Sequence, residues 1–204
     1  MKSVREIAEK RRAVNFFDSS VAITDDDLRK IYETARLAPS SFNLQPWRVI
    51  VVRTPEKRAQ LKEMAMNQPK VTEASAILVF VGRGKAYETD IDKTLQDRIA
   101  KGYMSEQAVD KVKEAVRRLY EGREIAFASR NVGLFAMLFI LAAEAEGWDT
   151  HPMDGFDVEK VKEFLELGDG EFPVMMVALG KKRPDATLLP RPERKTFEEV
   201  FTVV

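Results

Sequence analysis

The chain has 204 residues, 45% hydrophobic and 32% charged, which is enough to bury a sizeable core as a single domain. Its 33 basic and 33 acidic side chains cancel, so no global field attracts nucleic acid or an anionic membrane. Cysteine is absent, which excludes disulfides, thiolate metal sites and a cysteine nucleophile. The segment MKSVREIAEKRR carries no apolar signal core, and no apolar run reads as long and clean enough to span a bilayer. The expectation is a soluble, cytoplasmic protein with no nucleic-acid or membrane partner.

Ser3 with Glu6 forms a capping-box pattern, and Val4, Ile7 and Ala8 give the following helix an apolar face that ends at Arg11 and Arg12. Thr24 with Asp27 repeats the pattern before a helix marked by Leu28, Ile31, Tyr32 and Ala35, which Pro39 stops. The polar loop Ser40–Trp47 leads into Val49–Val52, an apolar run of the kind buried on both faces. Thr54-Pro55-Glu56 starts a helix running to about Met66, and Ala76–Val81 is a second buried strand. Lys85–Gly122 is dense in charge, with thin apolar stripes at Ile91, Leu95 and Ile99 and at Val109, Val112 and Val116. It reads as an excursion of one or two outer helices.

Glu124–Glu146 is apolar on most sides and must be buried nearly all round, which suggests a subunit interface as well as a core. Gly147 ends it. Asp157 caps a short helix with Val161, Phe164 and Leu165 that Gly168 closes, Val174–Leu179 is a third buried strand, and the tail 181–204 is basic, proline-rich and finally apolar. Strands separated by helices, with no internal repeat or linker, predict one α/β (α+β) domain over 1–204, its sheet covered on both faces.

Few residues offer chemistry by themselves. His151 is the single histidine and reads as structural; no G-x-S-x-G surrounds a serine, Gly82-Arg83-Gly84 lacks the third glycine of a dinucleotide fingerprint, and no metal site is expected. Arg11/Arg12 and Arg191/Arg194 suit a phosphate monoester, which prefers planar bidentate guanidinium partners, but each pair alone also reads as a solvated surface pair. The loop Ser40–Trp47 likewise reads either as a helix-to-strand connector whose amides satisfy local backbone or as a pocket edge.

Five blocks in order resemble the nitroreductase family: Arg11–Asp18, the loop APSSFNLQPW, Asn67–Lys70, Pro152–Asp157 and Arg191…Arg194. The resemblance implies a homodimeric oxidoreductase with FMN at the subunit interface, taking hydride from NAD(P)H and passing it to a small acceptor such as a nitroaromatic or quinone by a ping-pong cycle. It implies cofactor contacts from Arg11, Arg12, Ala13, Asn15, Pro39, Ser40, Ser41, Asn43, Asn67, Lys70, Pro152, Met153, Asp154, Gly155, Arg191 and Arg194, with no catalytic side chain because the flavin carries the redox step. Arg11 and the carboxyl-terminal arginines would meet the phosphate, Lys70 the pyrimidine edge, and Ser40, Ser41 and Asn43 the flavin of the other subunit. Ala13 stands where the family often has serine and Asn15 where it often has a basic residue, which leaves Lys70 as the clearest cation near the ring. Reductive dehalogenation, flavin breakdown, or a flavin-carrying dimer with little turnover remain alternatives.

Overall fold

A computed structural model describes residues 3–204. Its elements run α1 (Val4–Lys10), α2 (Asp25–Ala35), β1 (Trp47–Val52), α3 (Pro55–Met64), α4 (Lys70–Glu73), β2 (Ala76–Arg83), α5 (Ala86–Thr89), α6 (Ile91–Ala100), α7 (Val109–Tyr120), α8 (Glu124–Ala145), β3 (Asp149–Met153), α9 (Val158–Phe164), β4 (Glu171–Gly180) and α10 (Phe197–Val200). The expected caps are present: the side chains of Ser3, Thr24, Thr54 and Asp157 each accept the N–H three residues on. Such caps are worth about 1 kcal/mol apiece.

The four strands form one sheet in the order β1-β2-β4-β3, with every neighbouring pair antiparallel, so the α+β alternative holds. Side chains alternate along β2 and divide between two cores. Ala76, Leu78 and Phe80 face α2 and α8, where they meet Ile31, Ala35, Phe135 and Phe139. Ile77, Val79 and Val81 face α3, α4 and α9, where they meet Leu61, Val71 and Val161. The sheet is covered on both faces, and β2 is its fully buried centre.

Two strand expectations need correction. Val49–Val52 is not buried on both faces: β1 is an edge strand, with Arg48 exposed and Val49, Ile50 and Val51 half-buried. β3 is a strand beyond the three that the apolar runs predict, and Pro152 and Met153 are its last two residues. Its sequence DTHPM lacks the apolar run that marks a buried strand, and Pro152 is tolerated because β3 lies at the other edge of the sheet.

α8 is the longest helix among the described residues. By length and composition it is apolar enough to cross a membrane, contrary to the sequence reading. Its packing against α2, β2 and α1 is that of a core helix. Phe135 lies at the centre: its ring stacks on Trp47 with centroids 4.8 Å apart and meets Phe80 at 5.9 Å. Ile125, Leu134 and Met137 stay exposed in the single chain.

The excursion forms a third cluster on the first turns of α8, with Tyr87, Leu95 and Val116 packed on Phe127. Leu44 of the loop before β1 is buried in this cluster, so loop and excursion are one packed unit. At the end of β4, a Cβ on Gly180 would lie 3.0 Å from the backbone nitrogen of Ser75 and 2.9 Å from the Phe17 ring. Backbone cannot yield as a side chain can. Gly180→Ala should therefore destabilise the chain by about 1–3 kcal/mol, read as a lowered urea midpoint at unchanged slope.

Candidate functional site

The residues after α1 run extended between β3 and the segment that follows β4. The N–H of Val14 donates to the Thr150 carbonyl (3.1 Å), that of Asp18 to the Lys181 carbonyl (2.8 Å), and that of Arg183 to the Phe16 carbonyl (3.1 Å). The start of this segment is anchored by Lys10, whose ammonium lies 2.6 Å from the buried carboxylate of Glu144 on α8. The tail folds back over it. Arg191 donates to the carbonyls of Glu9 (2.7 Å) and Arg11 (2.9 Å), and Arg12 donates to the Leu189 carbonyl.

Opposite ends of the sequence thus enclose a cavity of about 560 Å³ lined by Arg11, Arg12, Lys182, Arg191 and Arg194, with Ala13 and Asn15 on its wall. No aspartate or glutamate is among its lining residues. The Arg11 guanidinium is held below its ordinary value by burial first and then by the positive charges of Arg191 and Arg194. Like charges brought together, offset only in part by the Glu144 carboxylate, leave an electrostatic demand that an anion would meet. Lys182 was not singled out from the sequence, although it stands in the basic run that follows β4.

A chain of hydrogen bonds joins three further sequence blocks. The Nδ1 of His151 lies 2.9 Å from the Val14 carbonyl and its Nε2 lies 3.4 Å from the Lys70 ammonium. Lys70 also donates to Gln68 Oε1 at 3.3 Å, and Gln68 Nε2 donates to the Gly155 carbonyl at 3.0 Å. A Cβ at Gly155 would come within 3.2 Å of the Gln68 amide and 3.3 Å of the Met66 sulfur, so glycine permits this close approach. Burial pushes Lys70 below the usual lysine value, against the pull of Glu73. His151 is also lowered, by burial first and by Lys70 second, while the Val14 carbonyl opposes. Its folded-state affinity for a proton is below the unfolded value, so the stability it contributes is present above the ordinary histidine range and lost as pH falls through the lowered value.

Lys70 starts α4, and Asn67 precedes it with φ of 53°. Asn15, Asn67 and Asp154 are exposed and Pro152 is half-buried, whereas Met153 is buried in the α3/α9 core and turns its side chain away from any open surface. The structure thus brings Lys70 together with Val14, His151, Gln68 and Gly155, while the Met153 side chain packs inward and only its backbone is left for the loop's expected contact.

The loop before β1 borders a separate cavity of about 650 Å³, where Ser40, Ser41 and Asn43 meet Arg98, Tyr103 and Tyr120 of the excursion. Pro39 is exposed at its start. Phe42, Asn43 and Gln45 have φ of 54°, 59° and 47°. Non-glycine residues in this region cost on the order of 1 kcal/mol or more each and persist only where their surroundings hold them. Asn131 of α8 is one such hold: its buried side chain accepts the Ser41 N–H at 2.8 Å and donates to the Phe127 carbonyl at 2.7 Å. Sequence reasoning passed over Asn131, although an amide inside an apolar helix must find a partner.

Residues 8–181 match the profile of the nitroreductase family. The "Putative NAD(P)H nitroreductase MhqN" of Bacillus subtilis (strain 168) is 36% identical over 98% of both chains. The "CLA biosynthesis enone reductase" of Lactiplantibacillus plantarum is 32% identical over 94% of this chain and 91% of its own. The solved structure of a "putative nitroreductase in complex with FMN" from Exiguobacterium sibiricum 255-15 superposes with a TM-score of 0.80 at 29% identity, covering 95% of this chain and 94% of that one. The chain belongs to the nitroreductase family and is an oxidoreductase of that fold.

Proposed function

We propose that the chain is an FMN-dependent NAD(P)H oxidoreductase acting as a homodimer. The observation that carries this reading is the cationic cavity: several guanidinium and ammonium groups converge from both ends of the chain with no carboxylate on its wall. That donor set fits the phosphate of FMN, and Lys70, held by Gln68, supplies the kind of donor that a pyrimidine edge requires. When bound, FMN supplies hydride transfer between NAD(P)H and a small acceptor by a ping-pong cycle. The protein's part is to bind and orient. Arg11, Arg12, Lys182, Arg191 and Arg194 hold the phosphate. Lys70 sets positive charge beside the ring, where reduction adds negative charge. The backbone of Pro152–Gly155, with Asn15 and Asn67, completes the ring's polar edge.

Ser40, Ser41 and Asn43 line a different cavity from Arg11 in the same chain, and a second copy would bring that loop to the flavin. Several features support such a copy. Among the described residues no strand pairs with the outer edge of β1, an apolar groove lies along it between Tyr32, Trp47, Val51 and Phe135, and the tail exposes Phe197, Phe201, Val203 and Val204. Nitroaromatics and quinones are the acceptors we favour, and an enone is a further one because a relative carries that name.

The purified chain should carry an oxidised-flavin spectrum, oxidise NADH or NADPH with such an acceptor present, and scatter light as twice 23.2 kDa. A flavin-loaded protein that consumes neither nicotinamide would be a carrier. A stable loaded monomer would defeat the shared site.

A further inference from the structure

We propose that His151 is a positioning residue for Lys70: its neutral ring, anchored through Nδ1 to the Val14 carbonyl, presents Nε2 as the acceptor that fixes the ammonium. The proton inventory assigns these roles. The Val14 carbonyl can only accept, so Nδ1 at 2.9 Å carries the hydrogen. Nε2 is then a lone pair facing the Lys70 ammonium at 3.4 Å, and an ammonium can only donate. Gln68 Oε1 takes a second N–H, which leaves one of the three for a ligand. A protonated ring beside an ammonium would set two donors face to face, so with lysine charged the contact is satisfied only by neutral histidine.

The charged surroundings are simple. Lys70 is the charged group acting on His151, and Ala178 stands opposite His151 on β4. Glu73, on the same helix as Lys70, is the charge acting on that lysine, and its carboxylate also accepts the Phe17 N–H at 3.4 Å. The inference rests on the flavin reading for what the third N–H meets. Ordered at the pyrimidine edge, Lys70 favours reduced over oxidised FMN; released by protonation of His151, it favours it less.

The single histidine makes the test clean. In the wild-type full-length chain without FMN, 15N-resolved NMR of the imidazole should show the Nδ1–H tautomer at neutral pH. Its titration midpoint should rise in Lys70→Met, which removes the neighbouring cation. An Nε2–H tautomer, or a midpoint unmoved by that substitution, overturns the proposal. With FMN bound, His151→Asn retains a donor towards Val14 but offers Lys70 nothing, whereas His151→Gln retains an acceptor at the Nε2 position. The preference for reduced over oxidised flavin should fall about tenfold in the Asn variant, a shift of about 30 mV for a two-electron couple, and stay near native in the Gln variant. Equal behaviour of the two variants would make His151 a backbone staple only. Failure of the wild-type chain to bind FMN would sink the flavin reading and leave the imidazole spectra to decide this one.

Discussion

A chain carrying Arg11→Ala and Arg191→Ala should bind FMN hardly better than riboflavin, having lost about 100-fold or more in FMN affinity. Each substitution removes a charged hydrogen-bond donor from the cavity wall, worth about 1.5–3 kcal/mol towards an anion. Riboflavin lacks the phosphate, so its affinity should stay within a few-fold of native and serve as the internal reference. The empty protein gives a second signature. Arg11 is destabilised by burial and by Arg191 and Arg194, so removing two of the cations relieves repulsion. FMN-free stability should change little, because the relieved repulsion is offset by loss of the Arg191 bonds to the Glu9 and Arg11 carbonyls, while FMN affinity collapses. Arg5→Ala, on the exposed face of α1, is the control for a loss of positive charge alone. Calorimetric titration of both flavins at two salt concentrations reads the effect, and equal losses for FMN and riboflavin would place the phosphate elsewhere.

Phe135→Ala should cost about 3–5 kcal/mol of folding stability, the range for deleting a large buried aromatic. The side chain is 2% exposed and joins Trp47 of the edge strand, Phe80 of the central strand and Phe139 of its own helix. In a chain of this size the loss should lower the thermal midpoint by about 6–20 °C. Leu134→Ala, one residue away and 46% exposed, should leave the isolated chain's stability almost unchanged. The scans need FMN at a fixed excess over its dissociation constant, because a bound ligand raises the midpoint by mass action. A fall of only a degree or two would mean that α8 does not pack against the sheet through this ring.

The interior was the most legible part of the sequence. Ala76–Val81 and Val174–Leu179 are continuous apolar runs because β2 and β4 lie at the middle of the sheet, where both faces are covered. The capped helices announced themselves through Ser3, Thr24, Thr54 and Asp157. The edges were harder. β1 carries the same apolar run as a central strand yet is half-exposed, since hydrophobicity does not say whether a strand has a neighbour on both sides. β3 reads as a polar turn because its partners, Ala13 on one side and β4 on the other, lie far away in sequence.

The site divides in the same way. Arg11 and Arg191 were visible as basic pairs, but that they share one cavity follows from the return of the tail across α1. His151 was read as structural because one histidine on its own suggests little, and its pairing with Lys70 is a tertiary fact. Asn131 needed the loop to be folded before its role could be seen.

α8 works as a ruler. From Phe127, which carries the excursion, through Asn131, which holds the loop, and Phe135, which meets the sheet, the fixed points recur every four residues, and Glu144 near the end anchors Lys10 beside Arg11. Thirteen residues separate Asn131 from Glu144, or ~20 Å of helix. Point substitutions on its exposed face leave those graduations in place. Inserting one residue between the two marks would advance one end by about 1.5 Å and turn it by about 100°, so Asn131 and Glu144 could not both face their partners. The helix should therefore tolerate changes of spelling but not of length.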